Sequence, residues 1–493
     1  MPIVSNTAGL LLPDVYVVEK EPPVQVTARS TGVIGIVGQF TYGPIGETIL
    51  VGDSSDLVRK TGSFKNGLDG HMAILNIMDQ GANQIKIVRV TDGDEEKAGA
   101  SLLNGASGIV DFEMEHPGTE GNLTTVTIAA ASVSGYVNAS FNFNGQTLEL
   151  RQVNMDPNSD DYLVDKVNKA NSFVKATRVS STVNLALPAV GTTTFTDGLD
   201  GTLTGVSLTD ADYVGTVGSN SRTGLKVFET DEGFANIIVS ARATDTINAE
   251  IVTQASNTSL KPRMGIIAPT AGTSVAGAKT AVSSINSDYA VMTYPFLTKY
   301  NVYTKQKENF NPAPFYAGLL ATLSPHVSQS RKQISGIIGT EMNLSRPEVV
   351  DLTENRISPI TVMPSIGFVV RNGFTTSSNG GKRQTVRRRM LNYFINKWEP
   401  SAQAFVSRGH TKELRDEIKT FFSNDLERDL RAGRIGNASG GPAYSVKCDT
   451  ENNPSAIVQA NQLVVDIAVS LIAPADILVI NIDASEENTR ISG

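Results

Sequence analysis

Two short apolar runs, "GVIGIVGQF" at residues 32–40 and "QIKIVRV" at residues 84–90, decide how this chain is read. The first is β-branched and punctuated by glycines, which suits a strand buried on both faces. The second alternates as a strand does. Between them Leu68, Met72, Leu75 and Met78 recur at helical spacing, with Gly81 as the stop. Strand, helix and strand within one stretch open an α/β layer. Further on, "ANIIVSA" (235–241), "RMGIIAP" (263–269) and "SDYAVMTYPF" (287–296) are again short apolar runs suited to buried parallel strands. "APFYAGLLATLS" (313–324) reads as a helix opening after prolines, and residues 350–370 read as extended and proline-broken.

The stretch 95–205 has another character. Ser, Thr, Asn, Gly and Val dominate, "NLTTVTIAA" and "FNFNGQTLEL" read as strands, and the latter carries an Asn-Gly hairpin turn. It is read as a β-rich insertion, bounded by "TDGDEEKAG" (91–99) and "TDGLDGTLTG" (196–205). At the other end, residues 383–398 space Val386, Met390, Phe394 and Trp398 as one helix. Residues 411–432 place Leu414, Ile418, Phe421, Phe422, Leu426 and Leu430 on a second amphipathic face, with Gly433 as the stop. "AYSVKCD", "NQLVVDIAVSLIAP" and "ADILVINIDA" then read as strands. The fold class is mixed α/β: an α/β domain, a β-rich insertion and a C-terminal α+β domain.

Near the N-terminus, Val15, Tyr16, Val17 and Val18 form a β-prone run just ahead of Pro22-Pro23. Proline has no N–H and fixes φ, so the ladder stops there. A lone strand at a chain end is unstable in water. It must join a sheet, in its own chain or in another.

The 493 residues suggest about three domains. One cysteine, Cys448, excludes an intrachain disulfide. The N-terminus lacks a basic region followed by an apolar core, and no apolar run reaches the length of a membrane span, so a soluble cytoplasmic chain without membrane insertion is expected. His71, His116, His326 and His410 have no second His or Cys at ligand spacing, so no metal is expected. "GGKR" (380–383) fails as a phosphate loop because Thr376 and Arg383 stand where Gly and Ser or Thr are needed. "GVIGIVG" lacks the dinucleotide spacing, and no G-x-S-x-G elbow occurs. Neither a cofactor nor an enzyme is expected.

Charge is uneven. Residues 371–434 hold a local excess of +7 against −8 for the whole chain, so the remainder carries −15. Lys382, Arg383, Arg387, Arg388 and Arg389 crowd at the start of a helix, where cations oppose the helix dipole. An anionic partner or carboxylates elsewhere in the fold both answer that charge.

The order of these features resembles the sheath proteins of contractile bacteriophage tails and related injection machines. "PDVYVVEKEPPVQV", "TGVIGIVGQFTYGPIGETILVGDSSDLVRKTG" and "ANQIKIVRV" are similar to the family's opening unit. "GTEGNLTTVTI" resembles its G-x-x-G-N segment. "SDYAVMTYPF" and "PAPFYAGLLATLSPHVSQSRKQISGIIG" follow its central pattern, although Leu323-Ser324-Pro325 replaces an acidic position. Two helices about an "E-P" break, "V-x-C-D" and two strands complete the order. The resemblance covers 13–92 and 260–483.

It implies a subunit that polymerises as hexameric rings stacked around a tail tube protein and contracts, within a virion tail assembled in the bacterial cytoplasm. Baseplate and terminator proteins are implied as partners, and nucleic acid is not. It implies four parts: an N-terminal arm (1–28), an α/β domain (29–94 plus 206–345), a protruding insertion (95–205) and a C-terminal inner layer (346–493). It further implies strand exchange between subunits through Val15, Tyr16, Val17, Val18 and through Asp476, Ile477, Leu478, Val479 and Ile480. The basic helices supply candidate tube contacts: Arg387, Arg388, Arg389, Lys412, Arg415 and Lys419. Two other classes stand beside this reading, a glycine-rich α/β enzyme with a dispersed site and a basic-patch nucleic-acid binder. Turnover would favour the first, and a steep salt dependence of DNA binding the second.

Overall fold

The computed structural model describes residues 30–104, 107–170, 172–179, 185–201, 208–219, 221–257, 259–476, 482–484 and 489–491. These fall into two compact units, with Tyr393–Ala473 in one and Ser30–Asn392 in the other, which also takes the described residues from Pro474 onward.

The larger unit is built on an eight-stranded sheet. Its strands are β1 (Ile34–Gly38), β2 (Ile49–Val51), β3 (Ile85–Arg89), β4 (Ile237–Ser240), β5 (Met264–Ile267), β6 (Ala290–Tyr294), β7 (Ile357–Met363) and β8 (Gly367–Val370). In space they run β2-β3-β1-β4-β5-β6-β7-β8. The six from β3 to β7 are mutually parallel, and the edge strands β2 and β8 are antiparallel. Both faces are covered, so the strands are largely apolar, and all five residues of β1 are buried. On one face lie α1 (Gly70–Met78) and α4 (Pro312–Thr322); their Ile74, Ile77, Phe315 and Leu320 join Ile34, Ile36, Ile87 and Ile266 in one core. The other face packs α2 (Asp245–Ser256), α3 (Val275–Ser283) and α5 (Arg346–Glu354) through Ile251, Val282 and Leu352.

The stretch 346–354 departs from the extended reading. Ser345 and Glu348 form a reciprocal capping box, and Pro347 sits in the first turn, where a missing N–H costs nothing. The proline-broken stretch that follows is strand β7 itself. Pro359 lies opposite Tyr294, the last pair of that parallel ladder.

The insertion leaves after β3 and returns before β4. A three-stranded sheet (Val174–Arg178, Ser107–Met114, Gly99–Asn104) and a four-stranded sheet (Gly191–Thr194, Thr125–Ala130, Val137–Phe143, Gln146–Val153) share a core of Phe112, Val126, Ile128, Phe141, Phe143 and Phe195. Asn144 and Gly145 both adopt positive φ, which closes the expected two-residue hairpin.

The smaller unit holds the C-terminal part of α6 (Thr385–Ala402), all of α7 (Lys412–Arg431), and the two-stranded ribbon of β9 (Tyr444–Lys447) and β10 (Asp466–Val469). Helix α6 runs through Glu399-Pro400 instead of breaking there. In its last turn a proline removes only one hydrogen bond.

Candidate assembly and partner surfaces

The structure turns most of the basic cluster inward. Arg389 is buried and donates to the carbonyls of Leu320 (2.8 Å), Leu323 (2.6 Å) and Ser324 (3.3 Å), at the C-terminal end of α4. A guanidinium there satisfies orphan carbonyls and meets the negative end of the helix dipole. Burial pulls its pKa down to about 10. Arg388 is buried too; it bonds Asn392 (2.8 Å), pairs with Asp288 (3.4 Å) and lies 4.3 Å over the ring of Tyr289. Arg383 donates to the Thr353 carbonyl (2.6 Å) in the last turn of α5 and stacks on Phe374 at 3.9 Å. The structure therefore places Arg388 and Arg389 inside the fold, where its own dipoles and Asp288 answer their charge.

The other candidates differ. Arg387 and Lys419 are exposed and make no ion pair among the described residues. Lys412 is exposed beside Asp416 (3.1 Å), and Arg415 is half-buried. The exposed face of α7 alternates in sign: Arg408 pairs with Glu417, and Arg431 with Glu427. Sequence reasoning saw the excess of charge but not the destinations of Arg383, Arg388 and Arg389, because Thr353, Asp288 and Leu320 lie far away in the chain.

The ribbon is the second surface. β9 and β10 pair antiparallel from Tyr444↔Val469 to Lys447↔Asp466, and no third strand joins them among the described residues. Ser470 N–H donates to Ala443 O (2.8 Å), so alternation along the ladder points the N–H groups of Ile467 and Val469 outward. Of the residues assigned to strand exchange, Val15, Tyr16, Val17, Val18, Ile477, Leu478, Val479 and Ile480 lie outside the described residues. Asp476 is described, exposed, and within 3.4 Å of the Gln384 amide.

A crevice of about 470 Å³ is lined by the segments that follow β4, β5 and β6 and by Asp69 and Met72 at the start of α1, beside β1. The strand order reverses at β1, and in doubly wound sheets ligands sit at such a point. Here the protein's own groups bond across it. Asn311 donates to the carbonyls of Ser240 (3.0 Å) and Ala241 (3.2 Å) that end β4. Burial raises the pKa of Asp69, although the carboxylate accepts from Tyr213 Oη and from Gln39 N–H (3.0 Å). Arg242 donates to Leu208 O (2.6 Å) and lies 4.4 Å over Tyr213. Sequence reasoning did not single out these residues. Among the described residues no cluster of His, Cys, Asp and Glu fits a metal ion, and no helix is long and apolar enough to cross a membrane.

No family model matches the chain, and no curated protein matches it in sequence. Solved structures do match. The sheath tail protein of Listeria innocua superposes with a TM-score of 0.64 at 14% identity, over 87% of this chain and 90% of that one. The anti-feeding prophage helical sheath in its contracted state gives 0.59 at 12% identity, over 97% and 100%. The contracted PVC sheath complex of an extracellular contractile injection system gives 0.59 at 12% identity, over 98% and 99%. With its open C-terminal ribbon and its α/β body carrying a β-rich insertion, this chain has the fold of a contractile sheath protein.

Proposed function

We propose that this chain is the sheath subunit of a contractile tail or injection machine. It polymerises as stacked hexameric rings around a tube and shortens to drive that tube through an envelope. The observation that carries this reading is the extent of the match. It spans 97–98% of the chain and 99–100% of the contracted sheath subunits, so the whole subunit is shared and not only its common α/β layer. The open ribbon supports it: an unpaired two-stranded edge is an aggregation hazard unless another strand is meant to fill it. The arm (1–28) and the strand from Asp476 to Ile480 are the proposed donors from neighbouring subunits.

In this reading residues 346–493 form the inner layer, 29–94 with 206–345 the α/β domain, and 95–205 the protruding insertion. Arg387, Lys412, Arg415 and Lys419 remain as tube contacts. Exposed charge pairs contribute about 0–1 kcal/mol each and are screened by salt, which suits a surface that must release. Contraction draws on new contacts between bistable interfaces, not on a nucleotide. Baseplate and terminator proteins at the two ends, and a place in a virion tail, follow from the same reading. The inward-turned arginines weigh against a nucleic-acid surface, and the internally bonded crevice against an enzyme.

Electron microscopy of the purified protein tests this. Concentrated protein should form tubes or rings of regular width. A chain that stays monomeric across protein and salt concentrations overturns the proposal.

A further inference from the structure

The C-terminal part of α6 and α7 form an antiparallel hairpin within the smaller unit. Phe394 stacks on Trp398 at 4.7 Å, Trp398 meets Phe422 edge-on at 5.3 Å, and Phe405 meets Phe421 at 5.2 Å. The buried row of α7 repeats every four residues as Leu414, Ile418, Phe422 and Leu426. If α7 slid by one turn, about 5.4 Å, Ile418, Phe422 and Leu426 would each be replaced by another apolar residue in either direction. Apolar packing therefore separates neighbouring registers only by side-chain volume.

A charged network crosses the same interface and does not repeat. Lys397 Nζ lies 2.8 Å from Asp425 and 2.9 Å from Asp429, and donates to Tyr393 Oη at 3.0 Å. Trp398 Nε1 donates to Asp425 (2.7 Å), and Arg434 to Asp429 (2.7 Å). Lys397, Asp425 and Asp429 are all buried. Burial works against the Lys397 ammonium, yet its bonds to Asp425, Tyr393 and Asp429 outweigh that and hold its pKa above the usual lysine value. One turn before Asp425 stands Phe421, and one turn after Asp429 stands Gly433. A slip in either direction leaves Lys397 with a single carboxylate. In one direction it also puts Asp425 where Phe421 now faces Phe405, burying an unpaired charge, which is strongly disfavoured.

We infer that Lys397, bridging Asp425 and Asp429, sets the register of this helical hairpin and so acts as a positioning residue for the exposed face of α7. A one-turn error would move Lys412, Arg415 and Lys419 by about 5.4 Å along the helix. That consequence rests on the sheath reading; the register itself does not.

The test is a distance across the hairpin in the full-length, unassembled chain. Buried Cys448 is replaced by serine, exposed Glu399 and Asn424 become spin-labelled cysteines, and pulsed electron resonance reads their separation. The native network should give one narrow distance. The neutral variant Lys397→Met/Asp425→Asn/Asp429→Asn should keep its helical circular dichroism and show a second population displaced by about one turn. Emission from Trp398, the single tryptophan, should shift with it. A folded neutral variant with the single native distance overturns the inference. If that variant does not fold, the isosteric change Asp425→Asn decides: it leaves Lys397 one carboxylate in the native register and one after a slip that brings Asp429 into its place, so a second distance supports the network and the single native distance sinks it. Tube formation is scored separately. Wild-type protein that never polymerises removes the sheath reading and leaves the register result standing.

Discussion

Arg387, Arg388 and Arg389 show what three adjacent identical residues conceal. On a helix they point in three directions, and only Arg387 reaches solvent. The sequence displays the excess charge. It does not display that Arg389 will find the carbonyls of Leu320, Leu323 and Ser324, because a helix C-terminus offers acceptors without any acidic residue to mark them. The same holds for Arg383 and the last turn of α5. Two substitutions separate the roles. Arg389→Ala strips a buried, charge-assisted cap and leaves acceptors unmade, so the midpoint of urea unfolding should fall by the equivalent of about 3 kcal/mol. Arg387→Glu should leave that midpoint within experimental error and weaken loading onto tubes at low salt. Equal destabilisation by both would mean that Arg387 is also an internal partner.

Elements were legible where period and punctuation agreed. The apolar spacing of α7 and the glycine-marked run of β1 were read correctly, because core-facing residues dictate both patterns. Helix α5 was not legible although Ser345 and Glu348 stand at capping-box spacing; Pro359 and Pro364, which break the stretch 350–370, argue for extended structure and lie beyond the helix. The ribbon of β9 and β10 was legible as strands but not as a sheet with no third strand beside it among the described residues, since pairing is a property of the fold. That open edge permits a selective experiment. Ile467 directs its N–H outward, so Ile467→Pro removes a donor from the free edge while sparing the β9–β10 ladder, and proline is tolerated on edge strands. The variant should fold and fail to form tubes, whereas Ile467→Ala, which keeps the N–H and shortens the side chain, should still assemble. Assembly by both variants would show that no strand is added at this edge of β10.

At the scale of the molecule, the insertion is fastened rather than tethered. Arg89, the last residue of β3, is buried and reaches the carbonyls of Phe40 (3.2 Å), Gly43 (3.1 Å) and Pro117 (2.6 Å), and lies 3.5 Å from Asp200 where the insertion returns. Such links between distant segments were beyond the reach of sequence patterns, whereas the order of the parts was not. Among the described residues, β1 is flanked by β3 and β4. In the sheath reading, residues 1–22 serve a neighbouring subunit and are dispensable for the subunit's own fold. The shortened protein should keep its circular dichroism and unfolding midpoint and form neither tubes nor rings. The covalent link matters as much as the strand. In the proposed exchange, an arm attached to one subunit and seated in the next would hold the two at a high effective concentration, whereas a free peptide of residues 13–26 would fill the edge without joining anything. Added in excess, that peptide should block assembly of the full-length protein and should not rescue the truncated one. Tubes forming normally from the truncated chain would place the connection between subunits elsewhere, in the C-terminal strand or in the faces of the α/β domain.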